Sequence, residues 1–243
     1  MIDFHSHIIY DVDDGVKNIE DSIKIIREAK KAGFTEIILT PHYMENYYEC
    51  NCNIVKKKMK ELQNEIDKEN IGIKLYQANE IYITTNINKI IDENKACSIN
   101  KSKYVLIELP MNEMPLNLLE TLYIIKENKQ IPIIAHPERY AYVQKKPEIL
   151  KELVEEHNVL FQANYGSIIG QYGKKIEKTV KKLLKMGYIH FLGSDVHRKE
   201  SIYLKIDKAQ RKLNKILNDN KIKELTYVNP KKILNNEEIN KNY

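Results

Sequence analysis

MIDFHSHIIYDVDDG, residues 1–15, opens the chain with a short apolar strand pattern that runs directly into two histidines. Side chains alternate along a strand, so His5 and His7 are expected to project to the same side. Imidazoles and nearby carboxylates are ligands that divalent transition metals accept. The stretch therefore predicts a strand that ends in a metal site. Three candidate carboxylates follow the second histidine: Asp11, Asp13 and Asp14.

Six further apolar segments follow the first, and helical patterns separate most of them. Strands that alternate with helices are typical of a parallel sheet joined by crossover helices. Seven such units without a glycine-rich nucleotide fingerprint favour a closed α/β barrel over an open sheet. The segments are TEIILTPH (35–42), GIKLYQANE (72–80), KYVLIELP (103–110), IPIIAHP (131–137), VLFQAN (159–164) and YIHFLGSD (188–195). The main helices are predicted at about 19–33, 52–69, 116–128, 147–157, 174–186 and 201–218.

Almost every predicted strand ends in a side chain that commonly binds metals. The carboxyl ends of the strands form the active-site face of a (β/α) barrel, so these side chains should meet in one cavity. Imidazole and carboxylate groups without a thiolate suit Mn, Fe, Zn or Co. Because one ion would leave many like charges unpaired, we expect two or three ions. The nine candidates are His5, His7, Asp14, His42, Glu80, Glu108, His136, Asp195 and His197, and the sixth strand offers only Asn164.

The loop AHPERY (135–140) adds a fixed positive charge beside this predicted site. Arg139 follows His136 by three residues, and its planar guanidinium matches two phosphoryl oxygens. Metal clusters of this kind turn water into a nucleophile near neutral pH and neutralise charge on a phosphate or carbonyl oxygen. We therefore predict metal-assisted phosphate-ester hydrolysis, with Arg139 and a metal-bound water as the catalytic groups. A surface salt bridge from Arg139 to Glu138 or a neighbour is the alternative.

The composition favours a cytoplasmic enzyme without nucleic-acid or membrane partners. The formal net charge is +5, but the lysines are scattered over predicted helix faces and do not alternate with stacking aromatics. No apolar run approaches the roughly 18–20 residues that span a bilayer. A signal peptide has no room before the polar HSH. The odd set Cys50, Cys52 and Cys97 then indicates reduced, incidental thiols.

HSH near the start, TPH, an isolated glutamate after the third strand, HPERY and SDVH together resemble the PHP (polymerase and histidinol phosphatase) superfamily. The closer resemblance is to the manganese-dependent bacterial tyrosine-protein phosphatases of capsule and exopolysaccharide operons. It rests on DFHSHIIYDVDDG, LIELPMN, PIIAHPERY and GSDVH, and it extends from residue 1 to NPKKIL at 229–234. The resemblance implies the PHP fold, a distorted (β/α)7 TIM-like barrel. We expect one domain over residues 1–243 with a peripheral tail after about residue 235.

The resemblance also implies how the candidate ligands divide among manganese ions. Asp14 and Glu108 stand where many superfamily members have histidine, and in this they are similar to the capsule phosphatases. Arg139 matches the phosphate-binding arginine of the family. The implied sets are His5, His7, Glu80 and Asp195 for the first ion, Glu80, Glu108 and His136 for the second, and Asp14, His42 and His197 for the third.

In the family, the substrate is the phosphorylated tyrosine-rich tail of the tyrosine kinase that controls polysaccharide export. The capsule enzymes often carry an Arg-Pro-rich loop after SDVH, whereas this chain reads RKESIYLKIDKAQ (198–210) without proline. Arg198 or Lys199 would substitute there. The loop HYMENYYEC (42–50) is expected near the barrel mouth, where Tyr43, Tyr47 and Tyr48 either line a slot for the substrate ring or cover the core.

Two other functions remain open from the sequence. A small-molecule phosphatase, for example one acting on histidinol phosphate, would use the same metal motifs, although HPERY together with Glu108 favours the tyrosine phosphatases. A non-catalytic module would have lost ligands, and all nine positions are filled. A thiol mechanism is unsupported, because it needs arginine six residues after the cysteine, and this chain has Lys56, Lys58 and Lys103 there. No oligomeric state is predicted.

Overall fold

A computed structural model describes residues 1–93, 95–199 and 201–239. The strands in this part of the chain are β1 (Ile2–Asp3), β2 (Glu36–Leu39), β3 (His42–Met44), β4 (Tyr48–Glu49), β5 (Lys74–Gln77), β6 (Glu80–Tyr82), β7 (Tyr104–Glu108), β8 (Ile131–Ala135), β9 (Leu160–Asn164) and β10 (Phe191–Gly193). The helices are α1 (Ile19–Lys31), α2 (Cys52–Lys68), α3 (Ile87–Asp92), α4 (Leu118–Glu127), α5 (Ala141–Lys145), α6 (Ile149–Glu155), α7 (Tyr165–Ile168), α8 (Lys174–Lys185), α9 (Ile206–Leu213), α10 (Asp219–Lys223) and α11 (Asn229–Leu234). Short 3-10 turns cover Ile99–Lys101, Pro137–Arg139 and Ile202–Lys205, and a π-helical turn covers Glu224–Val228.

All six predicted helices form, and asparagine side chains cap the starts of α1 and α2. At α1, the Asn18 side chain accepts a hydrogen bond from the Asp21 N–H (2.8 Å), which satisfies one free donor of the first turn. The helix predicted at 201–218 is shorter in the structure. Lys205 leaves helical geometry (φ −120°, ψ 9°), which separates the 3-10 turn Ile202–Lys205 from α9. The helix α9 ends at Leu213. None of the described helices combines the length and apolar character needed to cross a membrane.

The parallel strands close into a barrel with seven strand positions. Two positions are interrupted, because β2 resumes as β3 after residues 40–41 and β5 resumes as β6 after residues 78–79. The hydrogen-bonded orders are accordingly β1-β2-β5 and β10-β9-β8-β7-β6-β3-β4. The ring closes where the Asp195 N–H donates to the His5 carbonyl oxygen (2.8 Å) and Ser6 pairs with Val196. The predicted α/β barrel is confirmed, with breaks that the sequence pattern did not indicate.

The inward-facing rows of the barrel change from apolar to polar along the strands. Tyr104 and Leu106 of β7 belong to the apolar cluster inside the barrel, and Glu108 is the next residue in the same row. In β9, Leu160 belongs to that cluster and Gln162 follows it in the row. The barrel interior at the amino ends of the strands is therefore a packed core, and the carboxyl ends of the strands carry the polar side chains.

The amino end of the barrel is covered by the last described residues. Ile233, Leu234 and Ile239 pack into the same apolar cluster as Ile2. The Lys103 N–H donates to the Asn236 side chain (2.8 Å), which attaches this segment to the start of β7. Residues 240–243, the end of the predicted peripheral tail, lie outside the described residues.

The predicted state of the cysteines is wrong for two of the three. Cys52 and Cys97 form a disulfide with their Cα atoms 5.0 Å apart, and Cys50 is a free, buried thiol. The Gln77 side-chain nitrogen lies 3.7 Å from the Cys52 sulfur and 3.5 Å from the Cys97 sulfur. The count of cysteines carries no distance information, whereas the fold brings together two residues separated by 45 positions.

Candidate metal centre

All nine predicted ligand side chains lie together at the carboxyl end of the barrel. Three overlapping groups have ligand atoms within 4.8 Å of one another: His5, His7 and Glu80; His42, Glu80 and Glu108; and His7, Asp14, His42 and His197. His136 and Asp195 adjoin these groups. The His136 Nε2 lies 3.1 Å from the Glu80 Oε1, and the Asp195 Oδ1 lies 3.6 Å from the His7 Nε2.

A chain of amide hydrogen bonds holds His5 and fixes which ring nitrogen carries its proton. The Asp195 carboxylate accepts from the Asn164 Nδ2 (2.7 Å), and the Asn164 Oδ1 accepts from the Gln162 Nε2 (2.8 Å). The Gln162 Oε1 is therefore left to accept from the His5 Nδ1 (2.8 Å). In its neutral form, His5 consequently turns the lone pair of its Nε2 toward the centre of the site.

Asp13 holds His7 in the same way. The buried Asp13 Oδ2 accepts from the His7 Nδ1 (2.8 Å) and from the His42 backbone N–H (3.0 Å). Its Oδ1 accepts from the Gly15 N–H (2.9 Å), so Asp13 shapes the turn as well as supporting a candidate ligand. A Cβ at Gly15 would lie only 2.5 Å from the His7 carbonyl oxygen, which explains glycine there. The Nε2 atoms of His5 and His7 then face each other at 3.1 Å.

Glu80 occupies the middle of the site. Its Oε2 lies 3.3 Å from the Nε2 of His5, 3.3 Å from the Nε2 of His7 and 3.1 Å from the Nδ1 of His42. This oxygen is buried and has no hydrogen-bond partner among the described residues. Burial acts to raise the pKa of Glu80, but the charges of His5 and His42 hold that pKa well below its ordinary value. Glu80 is thus an anion at the point where the imidazoles converge.

Asp14, His42 and His197 form a more exposed part of the site. The Asp14 Oδ1 lies 3.6 Å from the His42 Nε2 and 3.5 Å from the His197 Nε2. The His197 Nδ1 donates to the Asp195 carbonyl oxygen (3.0 Å), which leaves its Nε2 free to face Asp14. The exposed fractions of the side chains are 51% for Asp14, 15% for His42 and 27% for His197. The site is therefore open to solvent on this side.

Carboxylates crowd the remaining side of the site. Burial, together with the charges of Glu80 and Asp195, raises the pKa of Glu108 to about 8. Burial opposes ionisation of Asp195 as well, but the charges of His5 and His136 lower its pKa to about 2. A divalent cation between these groups would relieve the repulsion that Glu108 experiences, because it would become the largest local charge.

Two candidate ligands adopt a left-handed backbone conformation. The φ angle is 33° at His136 and 53° at Asp195, a region that residues other than glycine rarely enter. Strain of this kind is concentrated at functional sites. Each residue follows a strand of the barrel, and the sharp turn brings His136 to Glu80 and Asp195 to His7.

Arg139 lies beside the ligands, in the 3-10 turn after β8. Its Nη1 donates to the Asp195 Oδ2 (2.9 Å), and its guanidinium lies over the Tyr172 ring, 5.0 Å from the centroid. The alternative from the sequence was a surface salt bridge with Glu138 or a neighbour. It is wrong for Glu138, which is buried and accepts from the Asn164 N–H (2.9 Å), and the salt bridge of Arg139 is with the buried Asp195. The Arg139 side chain remains 28% exposed, so part of the guanidinium is accessible.

The predicted substrate-binding residues differ in their placement. The Tyr48 ring stacks on the His42 ring with centroids 5.9 Å apart, so it borders the site. Tyr47 is 76% exposed, and Arg198 is exposed beside the ligand loop. Tyr43 is 4% exposed and packs in the core outside the barrel, so it covers the core and does not line a slot.

Two residues that contact the site were missed from the sequence, Gln162 and Tyr172. Gln162 had a detectable signal, since it lies two residues before Asn164 and therefore on the same face of β9. Tyr172 had none. It stands in an irregular loop between Gly170 and Gly173, and only the folded chain brings it to Arg139.

The donor set fits a cluster of divalent cations. The imidazoles have fixed tautomers, a central carboxylate oxygen lacks a hydrogen-bond partner among the described residues, and the nearby carboxylates repel one another. Nitrogen and oxygen donors without thiolate suit Mn, Fe, Co or Zn. Fold and site together define an α/β barrel with a candidate metal centre at the carboxyl ends of its strands.

Comparisons with known proteins identify the family. A family model described as capsular polysaccharide synthesis, CpsB/CapC, matches residues 1–235. The CapC protein of Staphylococcus aureus is 35% identical over 247 residues, which cover 99% of this chain and 94% of that protein. The chain belongs to the CpsB/CapC family, and the family resemblance predicted from the motifs is confirmed.

Solved structures agree with this assignment. A chain from the crystal structures of YwqE from Bacillus subtilis and CpsB from Streptococcus pneumoniae, described as unique metal-dependent tyrosine phosphatases, has a TM-score of 0.92 at 30% identity. The match covers 100% of this chain and 97% of that chain. The phosphotriesterase homology protein from Escherichia coli has a TM-score of 0.63 at 12% identity, over 96% of this chain and 98% of that one. This second likeness concerns the fold alone.

Proposed function

We propose that this protein is a metal-dependent protein-tyrosine phosphatase that acts in capsular or exopolysaccharide synthesis, and that residues 1–243 form one domain. The observation that carries the proposal is the meeting of nine ligand side chains and Arg139 in one barrel mouth. The relatives that share the fold along their length are described as metal-dependent tyrosine phosphatases. Because every candidate ligand is present, a catalytic protein is favoured over a non-catalytic metal-binding module.

Two or three Mn²⁺ ions are the proposed cofactor, and Fe, Co or Zn would also suit the donor atoms. When bound, the ions supply a water of lowered pKa as nucleophile and positive charge for the phosphoryl oxygens. Asp13 and Gln162 keep the imidazoles of His7 and His5 oriented toward Glu80. The proposed ligand sets are His5, His7, Glu80 and Asp195; Glu80, Glu108 and His136; and Asp14, His42 and His197.

Arg139 is the proposed phosphate-binding residue. Asp195 engages one nitrogen of its guanidinium, so other N–H groups remain for phosphoryl oxygens. Contact with the Tyr172 ring restricts the plane of the guanidinium. A positive charge held in place before the reaction stabilises the charge that develops in the transition state without further reorganisation.

The proposed substrate is the phosphorylated tyrosine-rich tail of a bacterial tyrosine kinase, and the proposed location is the cytoplasm. The inner imidazoles of His5 and His7 have no exposed surface, so the site is recessed. Phosphotyrosine is longer than phosphoserine and reaches a recessed site from the surface. Tyr47, Tyr48 and Arg198 surround the approach and are proposed to contact the peptide.

Turnover on paired phosphotyrosine and phosphoserine peptides of one sequence tests this function. We expect hydrolysis of the phosphotyrosine peptide, its loss after chelation and its return with Mn²⁺. Histidinol phosphate serves as the small-molecule comparison. Equal kcat/KM values for the two peptides would remove the tyrosine specificity, and faster turnover of histidinol phosphate would favour the small-molecule alternative.

A further inference from the structure

A cavity of about 270 Å³ opens beside the candidate metal centre, and we call it the Lys205 cavity. Its walls come from the loop after α7 and from the segment between β10 and α9. Two candidate ligands of the metal centre, Asp195 and His197, line it, and so does Tyr172, which contacts Arg139. Its volume is below the roughly 300–1,000 Å³ of typical small-molecule sites. It therefore suits one side chain of a larger substrate.

The described lining of the Lys205 cavity carries more positive than negative charge. Arg198, Lys199 and Lys205 line it. Asp195 is the one carboxylate among its described lining residues, and it already pairs with Arg139 at 2.9 Å. Lys199 lies 4.0 Å from a carboxylate oxygen of α1, but Arg198 and Lys205 form no salt bridge within the described part of the chain. Within the described residues, an anion that enters this cavity therefore meets two cations, Arg198 and Lys205, that are not paired with a carboxylate.

A second cavity, which Arg198 and Lys199 also line, has a different balance of charge. It measures about 510 Å³, and Asp14, Asp21 and Lys17 are among its lining residues. Its carboxylates oppose the approach of an anion, so it is the weaker candidate. Lys205 lines only the first cavity and Lys17 lines only the second. Substitutions at these two lysines can therefore separate them.

We propose that the Lys205 cavity is a second anion subsite, which binds a phosphate or carboxylate carried by a residue near the phosphotyrosine of the same peptide. The proposal rests on the phosphatase function given above, because the phosphotyrosine must occupy the metal centre. The two sites share wall residues, and an extended peptide advances at most about 3.3–3.6 Å per residue. The second anionic residue is accordingly within a few positions of the phosphotyrosine.

The expected contribution of the subsite is a lower KM with little change in kcat. The subsite lies beside the reacting phosphate and not on it, so it binds the ground state and the transition state equally. Each exposed cation contributes modestly to binding of the peptide, so we expect the loss of one lysine to lower kcat/KM by a factor of about 2–5. The effect should shrink as salt is added, because exposed charges are screened.

The test uses peptides of one sequence with a central phosphotyrosine and with phosphoserine, glutamate or glutamine placed one to three residues away on either side. We expect higher kcat/KM for the anionic peptides than for the glutamine peptide at one or more positions. The phosphoserine and glutamate arms distinguish a phosphate from a carboxylate ligand. Lys205→Gln should reduce this preference through KM, whereas Lys208→Gln, a matched exposed lysine on α9 outside the cavity, should retain it.

Free phosphotyrosine separates failure of the subsite from failure of the proposed function. Lys205→Gln should leave its hydrolysis unchanged, and absence of hydrolysis by the wild type would contradict the phosphatase function itself. In an active enzyme, equal kcat/KM for all peptides would overturn the subsite. So would equal preferences in Lys205→Gln and Lys208→Gln, or a loss of preference in Lys17→Gln alone, which would assign the anion to the other cavity.

Discussion

The candidate metal centre has two halves that differ in burial and in support. In the inner half, His5, His7 and Glu80 are 0–1% exposed, and the imidazoles are hydrogen-bonded to groups that accept from their Nδ1 atoms. In the outer half, Asp14, His42 and His197 are 15–51% exposed. In the inner half, Glu80 begins β6, and His5 and His7 follow β1; in the outer half, His42 begins β3, and Asp14 and His197 lie in loops. Rigid ligand geometry and access for a substrate are therefore provided by different parts of the chain.

The largest effect is expected at Glu80, whose Oε2 lies 3.1–3.3 Å from imidazoles of both halves. Glu80→Gln removes the anion at the centre of the site, so we expect loss of more than one equivalent of metal and a fall in kcat on the order of 10³-fold. Elemental analysis and turnover on a phosphotyrosine peptide measure the two effects together. Full metal content in the variant would show that the halves bind ions independently of this carboxylate.

Arg139→Ala should give the next largest loss, with a different signature. The side chain pairs with Asp195 but is proposed to bind the phosphoryl group, so we expect kcat to fall by on the order of 10²–10³ while metal content stays unchanged. His136→Ala is the contrasting variant, because it should lose both metal and activity. An equal loss of metal in Arg139→Ala would mean that this residue supports the ligands and does not act on the substrate.

Gln162→Leu tests whether the support of the inner half matters. The substitution removes the oxygen that accepts from the His5 Nδ1 and leaves the chain of amides from Asp195 broken. Loss of such a supporting hydrogen bond typically costs about 10–100-fold in metal affinity or activity. Metal titration of the apo-protein measures it. Gln162→Glu restores an acceptor at this position, and its recovery of affinity would separate ligand orientation from packing.

A graded removal of metal compares the two halves directly. Because the outer half is exposed to solvent, a chelator should remove its ion first and leave a species with fewer ions before the inner half is emptied. Metal content and activity followed over time should show two phases, and Asp14→Asn should lack the fast one. A single phase in the wild type would mean that the halves release their ions as one unit.

The inner half was the more predictable part of the site. Its ligands follow apolar strands, and the carboxyl ends of parallel strands meet at one face of a barrel, so position along the chain was sufficient to place them together. The alternation of strand and helix was sufficient for the barrel for the same reason. The residue pattern of each of these segments agreed with the strand or helix that the segment forms in the folded chain.

What could not be predicted depends on distances that only the folded chain defines. No local sequence pattern indicates the breaks between β2 and β3 and between β5 and β6. The same is true of the left-handed backbone at His136 and Asp195 and of the approach of Tyr172 to Arg139. Tyr43 was ambiguous because a loop position does not reveal which way a side chain points. The Cys52–Cys97 pair is the clearest case, because composition indicated free thiols and the fold placed the two cysteines side by side.

The smallest effect on activity is expected from Cys52→Ser, although its effect on stability should be large. The disulfide closes a loop of 45 positions, so its loss should lower the free energy of unfolding by roughly 2–4 kcal/mol under oxidising conditions. Cys97→Ser should cost the same, and the double variant no more, because all three lack one shared bond. The Cys97 N–H also donates to the Asn79 side chain (2.8 Å), and Asn79 directly precedes Glu80. If kcat and metal content stay unchanged while the denaturation midpoint falls, the barrel alone positions the inner half. A parallel loss of metal would instead show that the disulfide helps to position Glu80 through Asn79.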